Sequence, residues 1–169
     1  MFQDAFEFMM SNEDSAHQYK TVEDSPIGSF AISGINSHAF PNQFNVINAV
    51  AQDERGPAVK QFYQITFWNK WLEQLTSVDL SSRVFDAAVN MGPGMSVKLL
   101  QMAVNSIVPN ALVVDGNWGP NTVTQANNIS SETIVNAFRN VRSQHYKDIV
   151  AKNPADEIYL KGWLARAEK

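Results

Sequence analysis

The sequence has no cysteine, which excludes a disulfide framework and a thiolate-held metal. Its three histidines, His17, His38 and His145, are scattered, with no two at helical ligand spacing. A zinc peptidase or amidase needs a tighter cluster, so neither a metal nor another cofactor is implied. No stretch approaches the ~20 consecutive apolar residues of a membrane-spanning helix, and no membrane insertion is expected. The first residues, MFQDAFEFMMSNEDS, lack the basic start and apolar core of a secretory leader. Synthesis as a soluble cytoplasmic chain is the expectation. Basic residues are also in the minority, with 13 Lys and Arg against 17 Asp and Glu and a net charge of −4. That leaves no electropositive footprint for nucleic acid.

What is present is ordinary globular composition, with 169 residues of which 44% are apolar and 18% charged. This is enough chain to bury a sizeable core as one domain over residues 1–169. Apolar spacing reads mostly as helix. Phe2, Phe6 and Met9 or Met10 mark a short first helix ending near Ser11-Asn12. From His17 to Pro41 the periodicity dissolves, leaving a short alternation at Phe30, Ile32 and Ile35 that predicts a small β-hairpin. Helices resume at Phe44, Ile47 and Val50, and again after Gly56-Pro57. The next carries Leu80, Val84, Phe85 and Ala88 inward, with Asp79 or Ser81 as N-cap. Pro93 and Pro120 each suit a first helical position. Ser130 caps a long helix whose predicted stripe is Ile134, Phe138, Val141, His145 and Ile149. The closing YLKGWLARAEK is expected to dock through Tyr159, Leu160, Trp163 and Leu164.

Five features carry chemical meaning. Glu13 follows the apolar first helix, where its carboxyl can sit against a hydrophobic wall, the setting in which a carboxylic acid keeps a proton to donate. Asp24 lies eleven residues on, in a polar loop, and can either assist as a second carboxylate or cap the Ser25-Pro26 turn. Asn90 precedes the Gly92-Pro93-Gly94 break, as a helix-ending residue or as an amide facing a ligand. Phe62, Tyr63, Phe67, Trp68 and Trp71 form an aromatic cluster that suits either a core or a sugar-stacking face. Val114-Asp115-Gly116-Asn117-Trp118-Gly119-Pro120 is a tight turn feeding a proline-started helix. Gln101, polar among Leu99, Leu100 and Met102, is a further polar candidate.

Taken together, the run FDAAVNMGPGMSVKLLQMAVN, the VDGNWGP turn, the closing Gly162-Trp163-Leu164-x-Arg166 and the isolated acidic pair in Asn12-Glu13-Asp14 resemble glycoside hydrolase family 108. Members of that family are phage and prophage lysozyme-like muramidases. The resemblance implies a mainly α, lysozyme-like helical domain with a small β-hairpin near the N-terminus. It also implies a peptidoglycan-binding-type segment at about 93–129, integrated in the fold. By the same resemblance Glu13 is the general acid and Asp24 the second catalytic carboxylate. Ser33, or alternatively Ser29, takes the place of the family's threonine and positions the attacking water. Tyr63, Asn90 and Gln101 become substrate contacts. Where family members carry glycine after the catalytic Glu, this chain has Asp14-Ser15.

The activity implied is cleavage of the β-1,4 bond between N-acetylmuramic acid and N-acetylglucosamine by a monomer acting on bacterial peptidoglycan. A holin or another export route would deliver it to the wall. The acidic net charge supplies no long-range attraction to an anionic wall. Two alternatives share the scaffold: a catalytically inactive binding or structural protein, and a lytic transglycosylase.

Overall fold

A computed structural model, which describes residues 1–169, converts these periodicities into nine α-helices and one small sheet. The chain runs α1 (Phe2–Glu13), β1 (Thr21–Asp24), β2 (Ser29–Ile32), β3 (Ile35–Asn36), α2 (Pro41–Asn48), α3 (Gly56–Phe67) and α4 (Lys70–Glu73). It continues through α5 (Val78–Met91), α6 (Pro93–Ile107), α7 (Pro120–Asn127), α8 (Ser131–Lys152) and α9 (Glu157–Glu168). The architecture is mainly α and lysozyme-like, with its β-element between the first two helices.

Helix starts follow local chemistry. Proline opens α2, α6 and α7, where its missing N–H costs no helical hydrogen bond. The Ser130 hydroxyl caps α8 by accepting from the Thr133 N–H at 3.3 Å. For α5 the cap is Ser77, which accepts from the Leu80 N–H at 3.1 Å. Neither Asp79 nor Ser81 serves that purpose. Asp79 pairs with the Arg83 Nε at 2.9 Å, and the Ser81 hydroxyl donates to the Val78 carbonyl.

The expected hairpin gains a third strand. The sheet is antiparallel in the order β1-β2-β3, with Asp24 opposite Ser29, Thr21 opposite Ile32, and Ile32 opposite Ile35. β1 is exposed throughout, whereas β2 buries Ser29, Ala31 and Ile32 against the helices.

α5 is the centre of the molecule, and α1, α6 and α8 all pack on it. Its residues are buried from Leu80 to Ala88, including Asp86 at 0% exposure. The inner stripe of α8 departs from the apolar one read in the sequence. It buries Ile134, Val135, Phe138, Arg142 and Tyr146, and leaves Val141, His145 and Ile149 half-buried. Polar Arg142 and Tyr146 turn inward because a buried carboxylate on α5 draws them there. α9 docks through Trp163, which stacks on Tyr146 at 5.4 Å, and through buried Ala167, while Tyr159 stays exposed. No helix is long and apolar enough to cross a membrane.

Candidate active site

The placement of Glu13 follows from helical spacing. It stands three and four residues after Met10 and Met9, which are fully buried on α1. Residues at those offsets share a helix face, so the core-facing stripe delivers Glu13 to the inside as α1 ends. Its side chain is 18% exposed.

The two oxygens of Glu13 face different surroundings. Oε1 accepts from Nη2 of Arg166, on α9, at 2.6 Å. Oε2 faces the Ser33-Gly34 turn between β2 and β3. A Cβ on Gly34 would fall 2.5 Å from Oε2 and 2.8 Å from the Tyr63 hydroxyl, and Gly34 has φ +83°. Both the backbone conformation and the approach of the carboxylate therefore require glycine. The surroundings differ from the hydrophobic wall expected for Glu13: a guanidinium stands on one side and a tyrosine on the other.

Arg166 belongs to a buried charge network. Its Nε and Nη2 grip the Asp86 carboxylate at 3.1 and 2.8 Å. Nη1 of Arg142 meets the same carboxylate at 2.8 Å, and Nδ2 of Asn12 adds a contact at 3.1 Å. Two carboxylates and two guanidiniums thus balance in a space where an unpaired charge would be costly. Burial disfavours the charge on Arg166, but its hydrogen bonds to Asp86 and the charges of Asp86 and Glu13 outweigh that, and its pKa is raised. The chain of contacts continues from Arg142 Nε to the Tyr146 hydroxyl at 3.1 Å. That hydroxyl in turn donates to Asn90 Oδ1 at 2.6 Å.

The remaining candidates separate. Tyr63 is brought to Glu13, yet it is 1% exposed and its hydroxyl donates to the Ser33 carbonyl at 2.6 Å, so it holds the turn. Burial, then the negative charge of Glu13, raises its pKa. The Ser33 hydroxyl donates to Asp14 Oδ2 at 2.8 Å and is buried, so it is not free to position a water. Ser29 instead accepts, at 3.3 Å, from the Asn36 side-chain amide, which also donates to Asp24 Oδ2 at 2.8 Å. Asp24 is exposed and lies at the far end of the ribbon. Its partner Ser29 is three residues from Ile32, which displaces Asp24 by about 10 Å along the strand from the turn beside Glu13.

Asn90 is exposed on a cleft that Arg166 also lines. Gln101 does not reach any open surface. At 2% exposure, its amide donates to Asp115 Oδ1 and accepts from the N–H groups of Asp115 and Gly116. Its polar atoms hold the Asp-Gly turn and leave none for a ligand. The aromatic cluster is packed edge to face, with Phe62 against Tyr63 at 5.1 Å and Trp68 against Phe85 at 5.6 Å, so it builds core.

Asp14 accounts for the missing glycine. As the residue closing α1 it has a negative φ, −156°, which does not call for glycine. Its carboxylate accepts from the N–H groups of Gln18 and Tyr19 and from Ser33, fastening the loop to the ribbon. Partial burial pushes its pKa upward, but these hydrogen bonds prevail and hold it below the ordinary aspartate value. No three His, Asp or Glu side chains converge as a metal cradle.

Sequence reasoning missed Asn36, Asp86 and Arg142, and it met Arg166 only as part of the closing motif, without a role. For Asp86 a signal was present: a lone acid inside the apolar run Val84-Phe85-Asp86-Ala87-Ala88 demands buried partners. That Arg142 and Arg166, 56 and 80 residues away along the chain, are those partners leaves no such trace.

Residues 95–168 match a family described as a predicted peptidoglycan domain. No curated protein sequence matches the chain significantly. Among solved structures, that of Brucella abortus SagA is similar with a TM-score of 0.70 at 20% identity, over 99% of this chain and 89% of SagA. This second likeness is one of fold. The chain thus has a mainly α, lysozyme-like fold, and its residues 95–168 are similar to a predicted peptidoglycan domain.

Proposed function

We propose that this protein is a muramidase that cleaves the β-1,4 bond between N-acetylmuramic acid and N-acetylglucosamine in peptidoglycan, with Glu13 as general acid. The observation that carries the reading is the position of Glu13 Oε2, held at the helix end directly against Gly34 of the ribbon turn. Arg166 fixes Oε1 and thereby aims Oε2, which becomes the oxygen that donates to the leaving glycosidic oxygen. A preset carboxyl orientation of this kind removes part of the ordering cost of reaching the transition state. Asp24, tied to Asn36 well along the ribbon, is not part of this constellation, and the reading rests on Glu13.

One observation favours a second reading, a binding or structural protein on the same scaffold. The Glu13–Arg166 pair is also what a purely structural carboxylate would form. Digestion of purified walls by wild type and Glu13→Gln, with mass spectrometry of the products, separates the readings. The muramidase reading expects hydrated reducing muramic ends from wild type and a loss of at least about 100-fold in the variant, the scale of general-acid catalysis. Anhydromuramic ends would make the enzyme a lytic transglycosylase. Absence of product from a well-folded wild type would leave the binding reading.

A further inference from the structure

An open cleft of about 540 Å³ lies where the end of α1 meets α9, lined by Asn12, Asn90, Trp163, Arg166 and Lys169 among others. Its polar atoms are unusually one-sided. Arg166 uses Nε and Nη2 on Asp86 and Glu13, while its Nη1 bonds to no protein atom and is open to solvent. The orientation of Asn90 follows from the same network. Arg142 can only donate, so the Tyr146 hydroxyl accepts from it and sends its own proton to Asn90 Oδ1. The Asn90 NH2 group is left without a protein acceptor. The Trp163 indole N–H has no protein partner either, and its ring is fixed between Tyr146 and Tyr159. Lys169 adds an ammonium whose contacts are the Ser11 carbonyl and Asn12 Oδ1.

Acceptors are scarce on the same wall. The Asp86 oxygens are taken by Arg142, Arg166 and Asn12, and the Asn12 oxygen is taken by Lys169. In a chain of net charge −4, this is a local surface of donors. The guanidinium, pinned at two of its nitrogens, presents the third without further ordering, which favours binding of an acceptor-rich anion.

We propose that this cleft is a carboxylate subsite, which binds the carboxylate of a muramoyl unit or of the peptide attached to it. The assignment of those sources rests on the peptidoglycan reading above. Neutral N-acetylglucosamine offers no such group and would not be held there.

The test is binding to the wild-type protein, followed through the NMR signals of the Trp163 indole N–H and the Asn90 side-chain amide. The probes are N-acetylmuramic acid, its methyl ester, N-acetylmuramoyl-L-alanyl-D-glutamic acid and N-acetylglucosamine, none of which has a cleavable glycosidic bond. Either acid should move both signals and bind about 10-fold or more tightly than the ester or the neutral sugar, the scale of a charge-assisted hydrogen bond. Binding of the free muramic acid alone assigns the lactyl carboxylate, and binding of the dipeptide alone assigns the peptide. Asn90→Asp, which can still accept from Tyr146 at an exposed position, should cut acid binding by about 10-fold or more and leave neutral sugars unaffected.

Equal binding of acid and ester, or no movement of either signal up to the solubility limit, overturns the proposal. Wall digestion keeps the two readings apart. A protein that digests walls without telling acid from ester loses the subsite and keeps the muramidase. One that tells them apart without digesting keeps the subsite within a binding protein.

Discussion

At the scale of single residues, the site is defined by what surrounds Glu13. Gly34 is the least replaceable neighbour, since a methyl group there would meet Glu13 Oε2 at 2.5 Å on a backbone at φ +83°. Gly34→Ala should lose about 1–2 kcal/mol of stability from conformational strain. It should also lower wall digestion by more than its folded fraction explains, because the carboxylate must move; a calorimetric scan paired with a turnover assay reads both. The conformation of Asp14 makes a different forecast. Its folded pKa is depressed, so its contribution is fully present above the ordinary aspartate value and is lost as pH falls through the lowered one. Urea midpoints of wild type and Asp14→Asn should therefore differ most near neutrality and converge as pH falls below the ordinary aspartate value. A gap that widens on acidification would reverse the sign and refute the assignment. Glu13 itself was legible, because its spacing from Met9 and Met10 puts it on the buried face. Ser33 was not, because whether its hydroxyl meets water or Asp14 depends on how the loop folds back.

Among elements, the turn at Asp115-Gly116 shows how a buried amide replaces regular structure. Gln101 in α6 supplies an acceptor to two turn N–H groups and a donor to Asp115. Gly116, at φ +78°, lets the turn approach within 2.8 Å of the Gly94 carbonyl, measured from where a Cβ would stand. Gln101→Leu keeps the volume and removes the bonds, so it should cost about 1–3 kcal/mol, the scale of unsatisfied polar groups. Faster amide exchange at Asp115 and Gly116 should accompany the loss, and unchanged exchange would show that the turn holds without Gln101. Helix existence was legible from apolar spacing, and several starts from proline. Caps were less so: Ser77 lies three residues before Leu80, where the apolar stripe of α5 begins, and serine, aspartate and serine occur at 77, 79 and 81, so only geometry chooses among them.

For the molecule as a whole, the Asp86 network ties together four helices that are far apart in sequence. Asn12 comes from α1, Asp86 from α5, Arg142 from α8 and Arg166 from α9. Removing the shared carboxylate leaves two guanidiniums beside an empty, fully buried position. Asp86→Ala should therefore destabilise by about 3–5 kcal/mol in denaturant unfolding. It should also free Arg166 and disorder Glu13, so activity should fall even where the protein is folded. A change below about 1 kcal/mol would show that the helices are held by apolar packing alone. The sequence by itself determined the mainly helical class, the early ribbon, the proline-marked helix starts and the arrival of Glu13 on a buried face. All of these depend on spacing within a few residues, and short-range sterics and apolar periodicity decide them. Only the tertiary structure decided that Arg166 meets Glu13, that Arg142 and Tyr146 turn inward, that Gln101 is structural and that Asp24 lies well along the ribbon. Those outcomes join residues up to 153 positions apart, and a charge finds its partner through packing that no local pattern encodes.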